Sequence, residues 1–408
     1  MKPMITGRRL ALLFAYIYLS SYVTRINLAA IIQEVVTDTG FSKSSLSVIL
    51  VCLSVSYGVG QIINGRIGDK IKPQNLIFVG LCTATAVNLL FPFVSHSLVL
   101  MCILWTINGF AQAMMWPPMV KIMVSTMDGP TYNSSVVIVS MGSSLGTILV
   151  YLISPLIIGA FGWRAVLFAS AGIGLTSAVL FGILKDRTYS DPLLPASAPP
   201  VPADGGSRFS MPRAAILPFL LIVLGIVFQG MLRDGVTSWM PTYLAENFDM
   251  GNNVSILCTV SLAVFSMLTF TLAGMLYRTY FKNEVACAAT IFLIAVAACA
   301  VLLLFFDAGA VLAIVCMMLI TGAMHGINLM LITHTPKRFR RYGNISTISG
   351  LVNSFTYVGA AIATYGVARV SEVFGWRVTV GIWLGIALLG TVSCLVAMPK
   401  WKRFIEEE

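Results

Sequence analysis

The chain has 408 residues, of which 58% are hydrophobic and only 10% are charged. Water-soluble domains carry about a quarter charged residues, so this composition excludes a soluble enzyme, a nucleic-acid binder and a disordered scaffold. Apolar runs of about 20 residues recur along the chain, whereas the alternating ten-residue segments of a transmembrane barrel do not. The sequence therefore predicts an all-α integral membrane protein.

Hydropathy along the chain predicts twelve membrane spans. They cover residues 10–35, 46–66, 75–95, 98–125, 133–160, 165–184, 214–245, 254–277, 285–306, 309–334, 345–370 and 378–398. With both termini cytoplasmic, 20 of the 26 Lys and Arg residues lie inside, 4 lie outside, and Arg25 and Arg233 lie within spans. This asymmetry accounts for the net charge of +10 and predicts a multi-pass protein with both termini cytoplasmic.

The twelve predicted spans divide into six and six around residues 185–213. That segment is rich in Pro, Ser, Ala and Gly and lacks a helical period, as is typical of a linker. The predicted organisation is an N-terminal six-helix bundle (1–184), a cytoplasmic linker (185–213) and a C-terminal six-helix bundle (214–408).

Two matches relate the predicted halves to each other. The sequence Phe161-Gly162-Trp163-Arg164 recurs 213 residues later as Phe374-Gly375-Trp376-Arg377, and Arg25 matches Arg233 with a spacing of 208 residues. Both members of each pair fall at the same topological position. Parallel repeats of this kind are found in one large class of secondary transporters.

Arg25 and Arg233 lie deep within predicted spans, where an arginine costs about 2.5–3.5 kcal/mol on insertion scales. At similar depths in related halves, the two guanidinium groups would suit a doubly charged anion with planar oxygen edges, above all phosphate. The alternative is that each arginine pairs with a local acid or with carbonyl groups. Asp234 is the only acid well inside a span, and it either caps Arg233 or serves another group.

The titratable residues within the predicted spans indicate which driving force the protein could use. Proton-driven carriers generally need a carboxylate or histidine in the pathway, and only Asp234 and His325 qualify. Anion exchange needs no titratable group in the pathway and therefore agrees better with the small number of such residues in the spans. The eight cysteines show no metal-ligand spacing, so we predict no metal and no cofactor.

Helical offsets of three and four residues extend the candidate site. The side chains that share a face with an arginine are Tyr18, Ser21, Tyr22, Gln229 and Thr237. Each either donates to the anion or makes an ordinary interhelical hydrogen bond. Asn353 and Tyr357 are weaker candidates, and Gly142, Gly146 and Gly359 indicate close helix packing.

Trp116-Pro117-Pro118 is expected to break the fourth predicted span, because proline removes a helix hydrogen bond. Trp116 is then a candidate wall of the binding cavity.

Gly65-Arg66-Ile67-Gly68-Asp69-Lys70 resembles the loop signature of the major facilitator superfamily. The resemblance implies two six-helix bundles and a conformational role for Gly65 and Asp69 rather than a substrate-binding one. Asp234, His325 and Lys121 are the remaining gating or coupling candidates.

Three further segments resemble the organophosphate:phosphate antiporters, which include the glycerol-3-phosphate and hexose-phosphate transporters. They are Tyr22-Val23-Thr24-Arg25-Ile26-Asn27, the fourth-span pattern from Gly109 through Gln112 and Trp116-Pro117-Pro118 to Lys121, and residues 233–244, which end in Trp239-Met240-Pro241-Thr242-Tyr243-Leu244. The resemblance implies exchange of a phosphorylated metabolite for inorganic phosphate, with Arg25 and Arg233 holding the phosphate.

The chain departs from this family at two places. Ile26 stands where the antiporters usually have a lysine, and Ser140–Gly146 lacks the histidine of the glycerol-3-phosphate members, leaving Ser143 as the candidate there. These departures leave the substrate open, since a phosphonate, a sulfonate or a small carboxylate would also satisfy two arginines.

The predicted function is secondary transport of a small organic anion by a monomer embedded in lipid, without a nucleic-acid partner and without enzymatic activity. Two alternatives remain at this stage. One is a proton-linked carrier of carboxylates that uses Asp234 or His325. The other is a membrane receptor with a transporter fold that senses an organic phosphate.

Overall fold

The computed structural model describes residues 4–41, 43–189, 211, 213–250, 252–342 and 345–406. This part of the chain is helical and contains no strand. Its α-helices are α1 (Gly7–Ala30), α2 (Ile32–Thr39), α3 (Lys43–Lys70), α4 (Pro73–Leu90), α5 (Leu98–Gln112), α6 (Trp116–Thr126), α7 (Gly129–Phe161), α8 (Trp163–Leu184), α9 (Arg213–Phe248), α10 (Asn252–Tyr280), α11 (Glu284–Leu304), α12 (Ala310–Asn328) and α13 (Ile345–Glu406).

Eleven segments of the described chain are long and apolar enough to cross a membrane. One of them combines α5 with α6, and α13 contributes two, Ile345–Ala363 and Arg369–Glu406. The first predicted span corresponds to α1, which has 24 residues but is not among the eleven. Ser20, Thr24 and Arg25 interrupt its apolar residues and lower its hydropathy.

The chain forms two compact units. The first consists of Met1–Gly205 with Phe339–Ser354, and the second consists of Gly206–Arg338 with Phe355–Glu408. The start of α13 therefore packs with the first unit, although the sequence places it in the C-terminal bundle. Most of the predicted linker, residues 190–210, lies outside the described residues, and the boundary at 185–213 stays a prediction.

In the first unit, α1 and α7 cross at backbone contact distance. A Cβ atom at Gly142 would lie 2.3 Å from the carbonyl oxygen of Ala15, and one at Gly146 would lie 2.7 Å from that of Leu19. Only glycine allows helices to approach this closely. The predicted packing role of both glycines is confirmed.

In the second unit, α9 and α13 cross in the same manner. A Cβ atom at Gly359 would lie 2.1 Å from the carbonyl oxygen of Val227, and one at Gly230 would lie 2.2 Å from that of Thr356. The expectation for Gly359 is therefore confirmed. In each unit, the helix that carries the intramembrane arginine takes part in a crossing of this kind.

The repeated Phe-Gly-Trp-Arg segment has the same backbone conformation in both units. Gly162 has φ 78° and ψ 169°, and Gly375 has φ 79° and ψ 174°. A side chain at either position would be strained. Gly162 makes a sharp turn between α7 and α8, and Gly375 makes the same turn between the two helical parts of α13, which explains why this residue recurs.

An acidic side chain contacts each of these turns. It comes 13 residues after Arg25 in the first unit and 13 residues after Arg233 in the second. Arg164 Nη2 lies 2.9 Å from Asp38 Oδ2 in the first unit. In the second unit, Trp376 Nε1 donates to Glu246 Oε2 at 2.6 Å. Asp38 and Glu246 are 208 residues apart, the same spacing as Arg25 and Arg233, so the structural correspondence extends the sequence repeat.

Candidate anion site

Arg25 lies on α1 with its guanidinium stacked on aromatic rings. The Cζ atom lies 4.2 Å from the ring centroid of Tyr22 and 5.0 Å from that of Tyr57 on α3. Cation–π contacts of this kind stabilise a charge that has left bulk water. Tyr22 was predicted from its spacing, whereas Tyr57 was missed because it comes from another helix and no spacing rule relates it to Arg25.

The aromatic cluster beside Arg25 includes two more predicted residues. Tyr18 lies 5.1 Å from Tyr22, edge to face, and 4.9 Å from Trp116, measured between ring centroids. Trp116 reaches this position because the helix is interrupted between Gln112 and Trp116, as predicted, so that α6 begins anew with Trp116. The structure thus brings Tyr18, Tyr22 and Trp116 together with the first arginine.

A buried polar network fixes the α1 backbone next to Arg25. Gln112 Nε2 donates to Thr24 Oγ1 at 3.0 Å, and Ser21 donates its hydroxyl to Gln112 Oε1. Asn88 and Asn108 each donate from Nδ2 to the carbonyl oxygen of Thr24, at 2.9 and 3.0 Å. Ser21 thus makes an interhelical hydrogen bond, one of the two roles that its spacing left open.

Arg233 on α9 is paired directly with its neighbour Asp234. Arg233 Nε lies 2.8 Å from Oδ1, and Nη2 lies 2.9 Å from Oδ2. Successive helix residues point about 100° apart, but an arginine side chain is long and flexible enough to reach the carboxylate of the next residue. Of the alternatives left open by the sequence, the structure therefore has Asp234 as the cap of Arg233.

Tyr357 lies near this ion pair, and His325, the other predicted coupling residue, lies on α12 of the same unit. The Tyr357 ring centroid lies 5.9 Å from Arg233 Cζ. His325 on α12 places Nδ1 2.8 Å from the Thr321 carbonyl oxygen and lies edge-on to Phe270 at 5.4 Å.

Three substrate-binding candidates remain, and two of them, Gln229 and Ser143, donate hydrogen bonds to backbone carbonyl groups. Gln229 is fully buried, and its Nε2 donates to the Met324 carbonyl oxygen at 3.0 Å, which links α9 to α12. Ser143 donates to the carbonyl oxygen of Ser140 in its own helix at 2.6 Å. Thr237 is half-buried on α9.

The three predicted gating residues at the end of α3 and on α6 meet at one place in the first unit. Asp69 accepts hydrogen bonds from the backbone nitrogens of Ser346 and Thr347, at 3.0 and 2.7 Å, and so satisfies two amide groups of the first turn of α13. Lys121 Nζ donates to the Gly68 carbonyl oxygen at 2.8 Å and lies 3.8 Å from Asp69 Oδ1. A Cβ atom at Gly65 would lie 2.7 Å from the Ser346 carbonyl oxygen. Their conformational role stays a prediction.

One ion pair in the second unit was not anticipated. Glu284, the first residue of α11, is fully buried and accepts from Arg338 Nε at 3.1 Å, Arg338 Nη2 at 3.0 Å and Trp401 Nε1 at 3.0 Å. From the sequence, Arg338 is predicted only as one of the 20 basic residues on the cytoplasmic side. Within the described residues, no group of three His, Cys, Asp or Glu side chains is arranged to hold a metal ion.

With eleven candidate spans among the described residues, the fold is that of a polytopic membrane protein. The family model of the Major Facilitator Superfamily matches residues 12–364. The chain therefore belongs to this superfamily, and the predicted fold class is confirmed.

The chain is similar to proteins whose names concern phosphorylated metabolites. It is 26% identical to the glycerol-3-phosphate transporter of Bacillus subtilis, over 93% of this chain and 88% of the relative. It is 22% identical to the probable hexose phosphate transport protein of Chlamydia trachomatis, over 94% of this chain and 88% of that relative. It is also 22% identical to the membrane sensor protein UhpC of Salmonella typhimurium, over 94% and 88%. The resemblance to the organophosphate:phosphate type is thereby confirmed.

Among solved structures, the transporter FucP in the outward conformation has a TM-score of 0.73 and 14% identity, with 97% of this chain and 98% of that chain covered. At this identity the likeness concerns the fold alone. The chain is thus a multi-pass membrane protein of a transporter superfamily and not an enzyme.

Proposed function

We propose that the protein exchanges a phosphorylated metabolite for inorganic phosphate by alternating access, with Arg25 and Arg233 binding the phosphoryl group. The observation that carries the proposal is the placement of Arg25 over Tyr22 and Tyr57. Stacking uses the face of the guanidinium, whereas a phosphate binds the N–H groups at its edge. The same arginine can therefore be held by its own unit and recognise an oxyanion.

The aromatic cluster supports an organic substrate rather than a bare inorganic ion. Tyr18 packs against Tyr22, which contacts Arg25, and Trp116 packs against Tyr18. Aromatic side chains pack against the apolar parts of a ligand while their polar tips donate hydrogen bonds. We propose that the protein is a monomer of a bacterial-type cytoplasmic membrane with both termini cytoplasmic. The distribution of Lys and Arg supports this orientation.

Phosphate counterflow tests the proposal. Purified protein is placed in liposomes loaded with unlabelled phosphate, labelled phosphate is supplied outside, and no ion gradient is imposed. Rapid uptake that requires internal phosphate is expected. Arg25→Lys and Arg233→Lys should each weaken anion binding about 10- to 100-fold, because a charge-assisted hydrogen bond contributes about 1.5–3 kcal/mol.

Arg164→Lys is the matched control for these variants. Its arginine pairs with Asp38 in an ion pair whose side chains are 45% and 42% exposed, and it is not part of the proposed site. Uptake by this variant should equal that of the wild type. Near-normal uptake by either Arg25→Lys or Arg233→Lys would contradict the proposed role of that arginine.

A second candidate function is a membrane sensor of an organic phosphate, which the similarity to UhpC favours. Binding of the phosphate without any flux would support the sensor. Uptake that follows a pH gradient instead of internal phosphate would support the proton-linked alternative.

A further inference from the structure

We infer that Asp234 is an internal counter-ion that competes with the transported anion for Arg233 and thereby sets the anion affinity of the protein. The inference deepens the proposed function and rests on it. It assigns Asp234 a role in affinity rather than in proton coupling.

The competition follows from the edge of the guanidinium that Asp234 occupies. Its two carboxylate oxygens bind Nε and Nη2 of Arg233 at 2.8 and 2.9 Å, which is the bidentate arrangement that a phosphate would adopt. An anion on this edge has to displace the carboxylate. An anion on the neighbouring edge, which shares Nη2, lies beside the carboxylate and is repelled by it. In either position the negative charge of Asp234 opposes binding.

Burial makes this opposition substantial. The side chains of Arg233 and Asp234 are only 15% and 28% exposed, so water screens the interaction less than at a free surface. Removing the charge at Asp234 should therefore strengthen anion binding through Arg233.

A simpler explanation for the pair is that Asp234 only neutralises Arg233 so that α9 can lie in the membrane. The two explanations predict opposite results for Asp234→Asn. A merely structural role predicts a less stable protein with unchanged or weaker anion binding. An internal competitor predicts tighter binding, because the apparent dissociation constant scales inversely with the fraction of protein in which the site is available.

The test is isothermal titration of purified protein with inorganic phosphate and with glycerol phosphate. For Asp234→Asn we expect dissociation constants lower by about tenfold or more, since a factor of ten corresponds to about 1.4 kcal/mol and a charge-assisted hydrogen bond contributes at least that much. Asp234→Glu keeps the carboxylate and should stay within about threefold of the wild type. Asp38→Asn is the matched control because it removes an acid from another Asp–Arg pair, at 2.9 Å.

Infrared difference spectroscopy gives a second measurement that does not depend on the stability of Asp234→Asn. Addition of phosphate to the wild type should shift a carboxylate stretching band, and Asp234→Glu should move that band and so assign it. An unshifted band, or an unchanged dissociation constant in a folded Asp234→Asn protein, would overturn the inference and leave the transport proposal intact. Failure of the wild type and of Asp234→Asn to bind either anion would instead refute the proposed function.

Discussion

Glu284→Gln should be among the most destabilising conservative substitutions in the second unit. The Glu284 side chain is fully buried, and its carboxylate accepts three hydrogen bonds, two from Arg338 and one from Trp401. Breaking one partner of a buried ion pair costs about 3–5 kcal/mol, because the other charge is left uncompensated. Arg338 is 23% exposed and glutamine keeps one acceptor oxygen, so we expect about 3 kcal/mol, near the lower end of that range.

The measurement is a denaturation titration in mixed detergent micelles, in which about 3 kcal/mol changes the unfolding equilibrium roughly a hundredfold. Asp38→Asn serves as the control, because its exposed ion pair should contribute only about 0–1 kcal/mol. The double variant Glu284→Leu with Arg338→Met should recover most of the loss, since it leaves no buried charge unpaired. A Glu284→Gln protein no less stable than Asp38→Asn, or a double variant no better than the single one, would refute the reasoning.

Two other changes test the first unit. Gly142→Ala should lower the melting temperature and the yield of folded protein, because its Cβ would lie 2.3 Å from the Ala15 carbonyl oxygen; Gly159→Ala on the same helix meets nothing within 4 Å and should behave as wild type. Equal melting temperatures would contradict the close α1–α7 crossing. Asp69→Asn should slow phosphate counterflow severalfold at an unchanged anion dissociation constant, because it weakens the bonds to Ser346 and Thr347; a change in affinity with normal flux would argue against a conformational role.

Hydropathy was sufficient to predict the all-helical membrane fold and most span positions, and the two prolines after Trp116 predicted the break in the fourth span. Helical periodicity also related Tyr18 and Tyr22 to Arg25, because residues three and four apart share a helix face whatever the tertiary structure is. The close packing of helices at Gly142, Gly146 and Gly359 was also predictable, since small residues in apolar helices indicate close packing.

Contacts between distant helices were not predictable in this way. Tyr57 reaches Arg25 from α3, and Glu284, just before one predicted span, meets Arg338, just after the next. A single sequence carries no spacing rule for such pairs. The sequence also left open whether Asp234 pairs with Arg233. Helical geometry gives the direction of each side chain, but it does not give the rotamer of a long arginine side chain.

The contacts of the two intramembrane arginines can be completed at different stages of synthesis of the chain. Arg233 and Asp234 are consecutive on α9, so the ion pair can form as soon as that helix does, and α9 can enter the bilayer as an independent segment. The Tyr57 ring that contacts Arg25 belongs to α3, which is made later than α1. Because α1 is also less apolar than the spans that follow it, its stable insertion should depend on helices that emerge after it. The translocon would therefore have to hold the first helix until its partners arrive, whereas it could release the corresponding helix of the second repeat at once.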